Sequence, residues 1–128
     1  MIKIINAKLA DGSMVDVEIQ NNLISKVIKA SGIKSGEVID ATGKMLLPGL
    51  VDLHTHLREP GREDAETVLS GCTSAVAGGY TAISSMANTN PVADTAGVVE
   101  QIYRLGKDAG LCDVNPIGAV TKGIKGEQ

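Results

Sequence analysis

The chain contains two histidines, and they stand two residues apart in the run Val51-Asp52-Leu53-His54-Thr55-His56-Leu57-Arg58-Glu59-Pro60-Gly61. In an extended strand, residues two apart point to the same face, so both imidazoles project together. Neutral imidazole is the commonest transition-metal ligand among side chains, and a His-x-His pair on a strand can grip one ion. Taken alone, the spacing is equally compatible with two unconnected histidines. Pro60-Gly61 shifts that balance by ending the strand just beyond the rings. The pair then lies at the strand's C-terminal end, where α/β barrels and open α/β sheets place their sites. Arg58 follows on the same face if the strand geometry continues. Asp52 shares that face; it can orient a ring as a hydrogen-bond acceptor or cap the base of the strand.

Two stretches of different rhythm must position these residues. From Met1 to Leu47 the pattern is strands and turns. Ile2, Ile4 and Ala7 precede the turn Asp11-Gly12, and Val15-Asp16-Val17-Glu18-Ile19 alternates with its apolar residues on one face. Asn21-Asn22 predicts a hairpin turn before Leu23–Ile28. Gly32 and Gly36 punctuate a loop, and Val38-Ile39 and Met45-Leu46-Leu47 are short strand candidates. This stretch predicts a small one-sided sheet. Pro48-Gly49 marks the break, giving domains 1–48 and 49–128. Beyond it, a strand over Leu50–His56 leads to a helix over Asp64–Ala77, closed by Gly78-Gly79. A strand over Tyr80–Met86 follows, then a helix N-capped by Asp94 with Val98, Val99, Ile102 and Leu105 on its apolar side. Leu111–Val120, interrupted by Pro116, is a third strand. The order β-α-β-α-β predicts parallel strands joined by crossovers. Glu59, Arg62, Glu63, Asp64 and Glu66 form a mixed charge run that suits the start of the first helix.

The stretch Pro48-Gly49-Leu50-Val51-Asp52-Leu53-His54-Thr55-His56-Leu57-Arg58-Glu59-Pro60-Gly61 resembles the metal-binding signature of class I dihydroorotases, in the amidohydrolase superfamily. Asp40-Ala41-Thr42-Gly43-Lys44, Ala77-Gly78-Gly79-Tyr80-Thr81, Met86-Ala87-Asn88-Thr89-Asn90-Pro91 and Gly118-Ala119-Val120-Thr121 resemble further family segments in the same order. The resemblance implies an α/β fold: the first two to three βα units of a metal-dependent hydrolase (β/α)8 TIM barrel, preceded by a small β-sandwich-like domain. It implies that His54 and His56 are zinc (Zn2+) ligands, and that Arg58 and Asn88 bind the substrate carboxylate. The implied activity is reversible cyclisation of N-carbamoyl-L-aspartate to L-dihydroorotate in pyrimidine biosynthesis. A homodimer and association with aspartate transcarbamoylase are the partnerships the resemblance leaves open. Two other readings stand beside it: a hydantoinase or allantoinase, whose substrates have less use for Arg58, and a non-catalytic dihydroorotase-like subunit that scaffolds aspartate transcarbamoylase. The intact histidines argue against the second.

Composition narrows the remaining classes. With 43% apolar residues, 21% charged residues and a net charge of −3, the chain has the make-up of a folded domain. Two tyrosines and no Phe or Trp leave no stacking platform for nucleic acid, and there is no basic excess to hold phosphates. No apolar run approaches a membrane span and no signal peptide opens the chain. Cys72 and Cys112 form no CxxC pair, which suits a reducing cytoplasm. A catalytic zinc usually takes three protein ligands, whereas the chain has two histidines. A closed barrel needs about 250 residues. The expectation is therefore the N-terminal portion of a longer chain, with the catalytic aspartate lying downstream and no activity from the 128 residues alone.

Overall fold

The computed structural model describes residues 1–32 and 36–126. The interior of the loop predicted between Gly32 and Gly36, and the final Glu127 and Gln128, lie outside the described residues. The chain divides into two compact units, Met1–Pro48 and Gly49–Gln128.

The first unit is a four-stranded sheet made of β1 (Ile2–Lys8), β2 (Met14–Gln20), β3 (Leu23–Lys29) and β4 (Glu37–Asp40) in the order β3-β2-β1-β4. The consecutive pairs β1–β2 and β2–β3 are antiparallel, while β4 runs parallel to β1. Asn21 and Asn22 sit at φ of 51° and 61°. That left-handed pair makes the two-residue hairpin turn expected of them. Met45–Leu47 forms only an isolated bridge from Met45 to Lys8, not a strand. Ala7, Val15, Val17 and Ala41 form the apolar core.

A bulge in β1 alters the expected face. The register with β2 shifts between Ile4 and Ala7, and Asn6 takes a φ of 58°. Ile5 and Ala7 are fully buried, whereas Ile2 and Ile4 are half-buried. The freed Asn6 amide donates to Asp16 Oδ1 at 3.0 Å. Asp16 is itself completely buried, and its Oδ2 accepts from the Ser31 amide at 3.0 Å and the Ser31 hydroxyl at 2.8 Å. The Lys3 ammonium stands 3.9 Å away. The sheet is thus not simply one-sided, because a buried carboxylate ties three segments together. On the opposite flank every residue of β3 is exposed, including Leu23 and Ile24.

The second unit alternates strands and helices: β5 (Leu50–Thr55), α1 (Val68–Ala77), β6 (Tyr80–Ser85), α2 (Ala96–Ala109) and β7 (Asp113–Val114). The three strands are parallel, in the order β5-β6-β7. A core of Leu57, Val68, Cys72, Ile83, Ile102 and Val114 lies among them. The apolar stripe of α2 packs as its spacing predicts, with Ile102 fully buried and Val98, Val99 and Leu105 against the core. Gly106 is what brings α2 close to β7, since a Cβ there would collide with the Val114 side chain.

Three boundaries differ from the sequence pattern. α1 begins at Val68, not Asp64. A capping box decides its start: Thr67 Oγ1 accepts from the Ser70 amide and Ser70 Oγ accepts from the Thr67 amide, both at 3.0 Å. Of the preceding charge run, Glu59 reaches the helix, accepting from the Val68 amide at 2.8 Å. The N-cap of α2 is Thr95, and Asp94 instead accepts from the Gly123 amide at 2.7 Å. The third strand shrinks to Asp113–Val114, short of Pro116. Backbone bonds nevertheless continue past it, from Asn115 N to Ile83 O at 2.9 Å and from Ile117 N to Ser85 O at 2.8 Å.

Both cysteines are free thiols. Burial, then the hydrogen bond and charge interaction with Cys112, push the Cys72 thiol up to about 12. Thiolate is the reactive form. Native protein treated with iodoacetamide at pH 8 is therefore expected to leave Cys72 unlabelled until urea unfolds it, as read by peptide mass mapping.

Asp16 yields a second expectation. Burial alone would raise its carboxyl, but the Asn6 and Ser31 amides, the Ser31 hydroxyl and Lys3 together hold it below the usual range. A depressed carboxyl stabilises the fold fully above its unfolded value, about 3.9, and that contribution is lost as pH falls through the lower folded value. Asp16→Asn should cost about 2–4 kcal/mol at pH 7. The gap to the native chain should narrow on acidification below about pH 4, measured by urea denaturation at a series of pH values.

Candidate metal and carboxylate site

The parallel pairing of β5, β6 and β7 delivers three loops to one edge of the sheet. There an open cleft of about 460 Å3 is lined by residues that end or follow these strands, among them His54, His56, Met86, Asn88, Ile117 and Thr121. The cleft wall is otherwise apolar and built from small residues such as Ala87, Gly118 and Ala119.

The two imidazoles meet there through an irregular strand rather than by plain alternation. In the register with β6, Asp52 pairs with Ile83 and Thr55 with Ser85, so three residues on β5 match two on β6. A bulge of this kind re-aims side chains near a strand end. Asp52 holds it: its Oδ1 accepts from the His54 backbone amide at 2.9 Å. The Asp52 carboxylate thus bonds the backbone and not an imidazole. The strand ends at Thr55, and the sheet edge closes with Met86 N donating to Thr55 O at 2.8 Å.

His54 Nε2 and His56 Nε2 come within 3.1 Å, with their rings inclined at 62°. Two zinc–nitrogen bonds of about 2.0–2.1 Å at a tetrahedral angle hold their nitrogens about 3.3 Å apart. The pair therefore fits two corners of one metal site. Among the described residues no group of three or more His, Cys, Asp or Glu completes such a site.

Asn88 reaches this pair from the loop after β6. Its Oδ1 lies 2.8 Å from His56 Nδ1, a contact that the Asn-Thr-Asn-Pro run does not announce. Arg58 is placed differently. It is half-buried in the loop after β5 and does not line the cleft. Its backbone carbonyl accepts from the Arg62 amide at 2.9 Å, and among the described residues its guanidinium has no partner. Leu57, 1% exposed, anchors that loop to the core beside it.

The loops after β5 and β6 are locked together at Gly61. Asn90 N donates to Pro60 O at 3.0 Å, and Gly61 adopts a φ of +102°. A Cβ at Gly61 would overlap the Asn90 carbonyl oxygen. The glycine is required twice, by its backbone angle and by this approach.

The sequence model of the Dihydro-orotase-like family matches residues 43–128. The chain is 59% identical to a dihydroorotase of Streptomyces coelicolor over 120 residues, covering 94% of this chain and 28% of that one. It is 54% identical to a dihydroorotase of Leifsonia xyli over 125 residues, covering 98% of this chain and 28% of that one. Among solved structures it is similar to an L-hydantoinase (dihydropyrimidinase) from Arthrobacter aurescens. That likeness has a TM-score of 0.76 at 23% identity, covering 91% of this chain and 27% of that one, and shows a shared fold. The parallel βα layers form an α/β architecture with the two histidines paired at a strand end. The chain belongs to the dihydroorotase-like family. It spans about 28% of the length of these curated relatives.

Gly61→Ala should lower stability by about 1–3 kcal/mol, the cost of a disfavoured backbone angle compounded by collision. Urea denaturation measures it, and loss of the His54 and His56 NMR shifts characteristic of the native fold would mark disruption of the two loops.

Proposed function

We propose that the chain supplies part of the site of a dihydroorotase, which interconverts N-carbamoyl-L-aspartate and L-dihydroorotate in pyrimidine biosynthesis. The observation that carries the reading is the 3.1 Å approach of His54 Nε2 and His56 Nε2 in a cleft at the C-terminal ends of parallel strands. The family match and the dihydroorotase relatives support it. In this reading β5–β7 belong to a (β/α)8 barrel, and residues 1–48 form half of a composite β-sandwich domain. The setting is the cytoplasm; among the described residues no helix is long and apolar enough to cross a membrane.

His54 and His56 would hold the zinc ion. When bound, zinc supplies Lewis acidity at the ring amide carbonyl and lowers the pKa of water. The chain's own contribution is to place the substrate. Arg58, whose guanidinium no described side chain engages, would reach the carboxylate from the loop after β5, outside the present cleft lining, and Asn88 would share it from the neighbouring loop. Fixing the carboxylate leaves the scissile amide one orientation toward the histidine pair, which converts encounter into a positioned reaction. The sparse aromatic content, two tyrosines, accords with a small anionic substrate gripped by charge.

A hydantoinase is the second reading, favoured by the fold shared with the Arthrobacter aurescens enzyme. Arg58 separates the two, since a hydantoin ring carries no such carboxylate.

The test is a chimera in which this chain replaces the matching 120 residues of the Streptomyces coelicolor relative. It should cyclise carbamoyl-aspartate and open dihydroorotate in preference to hydantoin and allantoin. Arg58→Ala in the chimera should raise KM for dihydroorotate at least tenfold, the loss of about 1.5–3 kcal/mol carried by a charged hydrogen bond. Unchanged KM and turnover would remove the carboxylate role from Arg58.

A further inference from the structure

We propose that Asn88 is a positioning residue for His56 as well as a contact for substrate, and that it divides its amide between the two tasks. The substrate half of this proposal rests on the dihydroorotase reading; the histidine half does not.

An amide carbonyl oxygen can only accept a hydrogen bond. In the proposed arrangement the 2.8 Å contact between Asn88 Oδ1 and His56 Nδ1 puts the hydrogen of the neutral ring on Nδ1. Nε2 is left with its lone pair, and that lone pair faces His54 Nε2 at 3.1 Å. The ring is held in the one neutral form able to donate electrons to a cation shared with His54. Ligating histidines generally depend on such a partner for ring orientation and basicity. Among the described residues no other hydrogen bond to the His56 ring does this work, and its remaining ring contact is His54.

The other end of the amide is unspent. Asn88 is exposed, lines the cleft, and its Nδ2 has no partner among the described residues. Its two N–H groups can donate to a carboxylate while Oδ1 stays on the ring. One planar side chain then couples the orientation of a metal ligand to the seat of the substrate. The coupling spans 32 residues of sequence between His56 and Asn88, and it joins the loops after β5 and β6.

Two substitutions separate the tasks. Asn88→Ala removes both functions. Asn88→Asp keeps an oxygen acceptor for His56 Nδ1 but presents negative charge to a carboxylate. The ring tautomer is read on the 128-residue chain by imidazole 15N shifts at pH 8, with circular dichroism to verify folding. Zinc affinity is read on the same chain by competition with a chromophoric chelator. Native chain and Asn88→Asp should both show Nδ1 protonated and Nε2 bare, with zinc affinities within about threefold. Asn88→Ala should show mixed tautomers and zinc binding weaker by about tenfold or more. In the chimera, Asn88→Asp should raise KM for dihydroorotate at least tenfold while kcat falls much less. Unchanged 15N shifts and zinc affinity in Asn88→Ala would overturn the positioning role, as would equal loss of zinc in Asn88→Asp. An unchanged KM in Asn88→Asp would overturn the divided amide. A chimera that binds zinc as expected but does not turn over dihydroorotate would instead refute the dihydroorotase reading, with the tautomer and zinc results still deciding the role of Asn88 at His56.

Discussion

Parallel pairing is the constraint on which the second unit depends. Strands that run the same way cannot be joined by hairpins, so each must return through a crossover long enough to traverse the sheet. α1 and α2 are those crossovers, and they pay for the arrangement by burying Val68, Cys72 and Ile102 against Ile83 and Val114. The same constraint forces every strand to finish at one edge. His54 and His56 from β5, Asn88 after β6 and Ile117 after β7 consequently meet in one cleft, although 63 positions of sequence separate His54 from Ile117.

Pairing sets the neighbourhood; polar contacts to the backbone set the aim. Asp52 fixes the β5 bulge through the His54 amide, and Glu59 fixes the start of α1 through the Val68 amide. In the first unit Asp16 gathers the amides of Asn6 and Ser31 around a bulge in β1. In each case a carboxylate satisfies a donor that the regular ladder or helix cannot. The sequence pattern allows Asp52 to orient a ring or cap its strand and puts Glu59 at the start of the first helix; the partners of all three acids are chiefly main-chain N–H groups.

What could be read from the sequence was whatever depended on local period and local stereochemistry. The alternation in Val15–Ile19, the Asn21-Asn22 turn, the stripe on α2 and the His-x-His pair all rest on residues within one element. The differences arise where a neighbour decides. Asp64 and Asp94 have the chemistry of helix starts, but Thr67 and Thr95 stand where the backbone enters the helix. The strand expected over Leu111–Val120 is regular only at Asp113–Val114, because how far it pairs depends on which carbonyls β6 offers. The bulge at Leu53-His54 appears only in the register with β6. The Asn88–His56 contact needs both loops in place, so no spacing rule could reveal it. Asp52-x-His54 was the one available hint, because an aspartate commonly bonds the amide two residues on.

The closeness of the two ring nitrogens has a consequence for which ions the protein can tolerate. Paired imidazoles are undiscriminating donors: nitrogen sites bind late first-row cations in an order that peaks at copper(II), ahead of zinc. As the proposed metal ligands, His54 and His56 would bring affinity readily, whereas choice of ion would not come from them. Selectivity falls to the shape that other donors impose and to the ions the surrounding compartment keeps scarce. At the proposed metal site, copper(II) would therefore compete with zinc for the same two lone pairs.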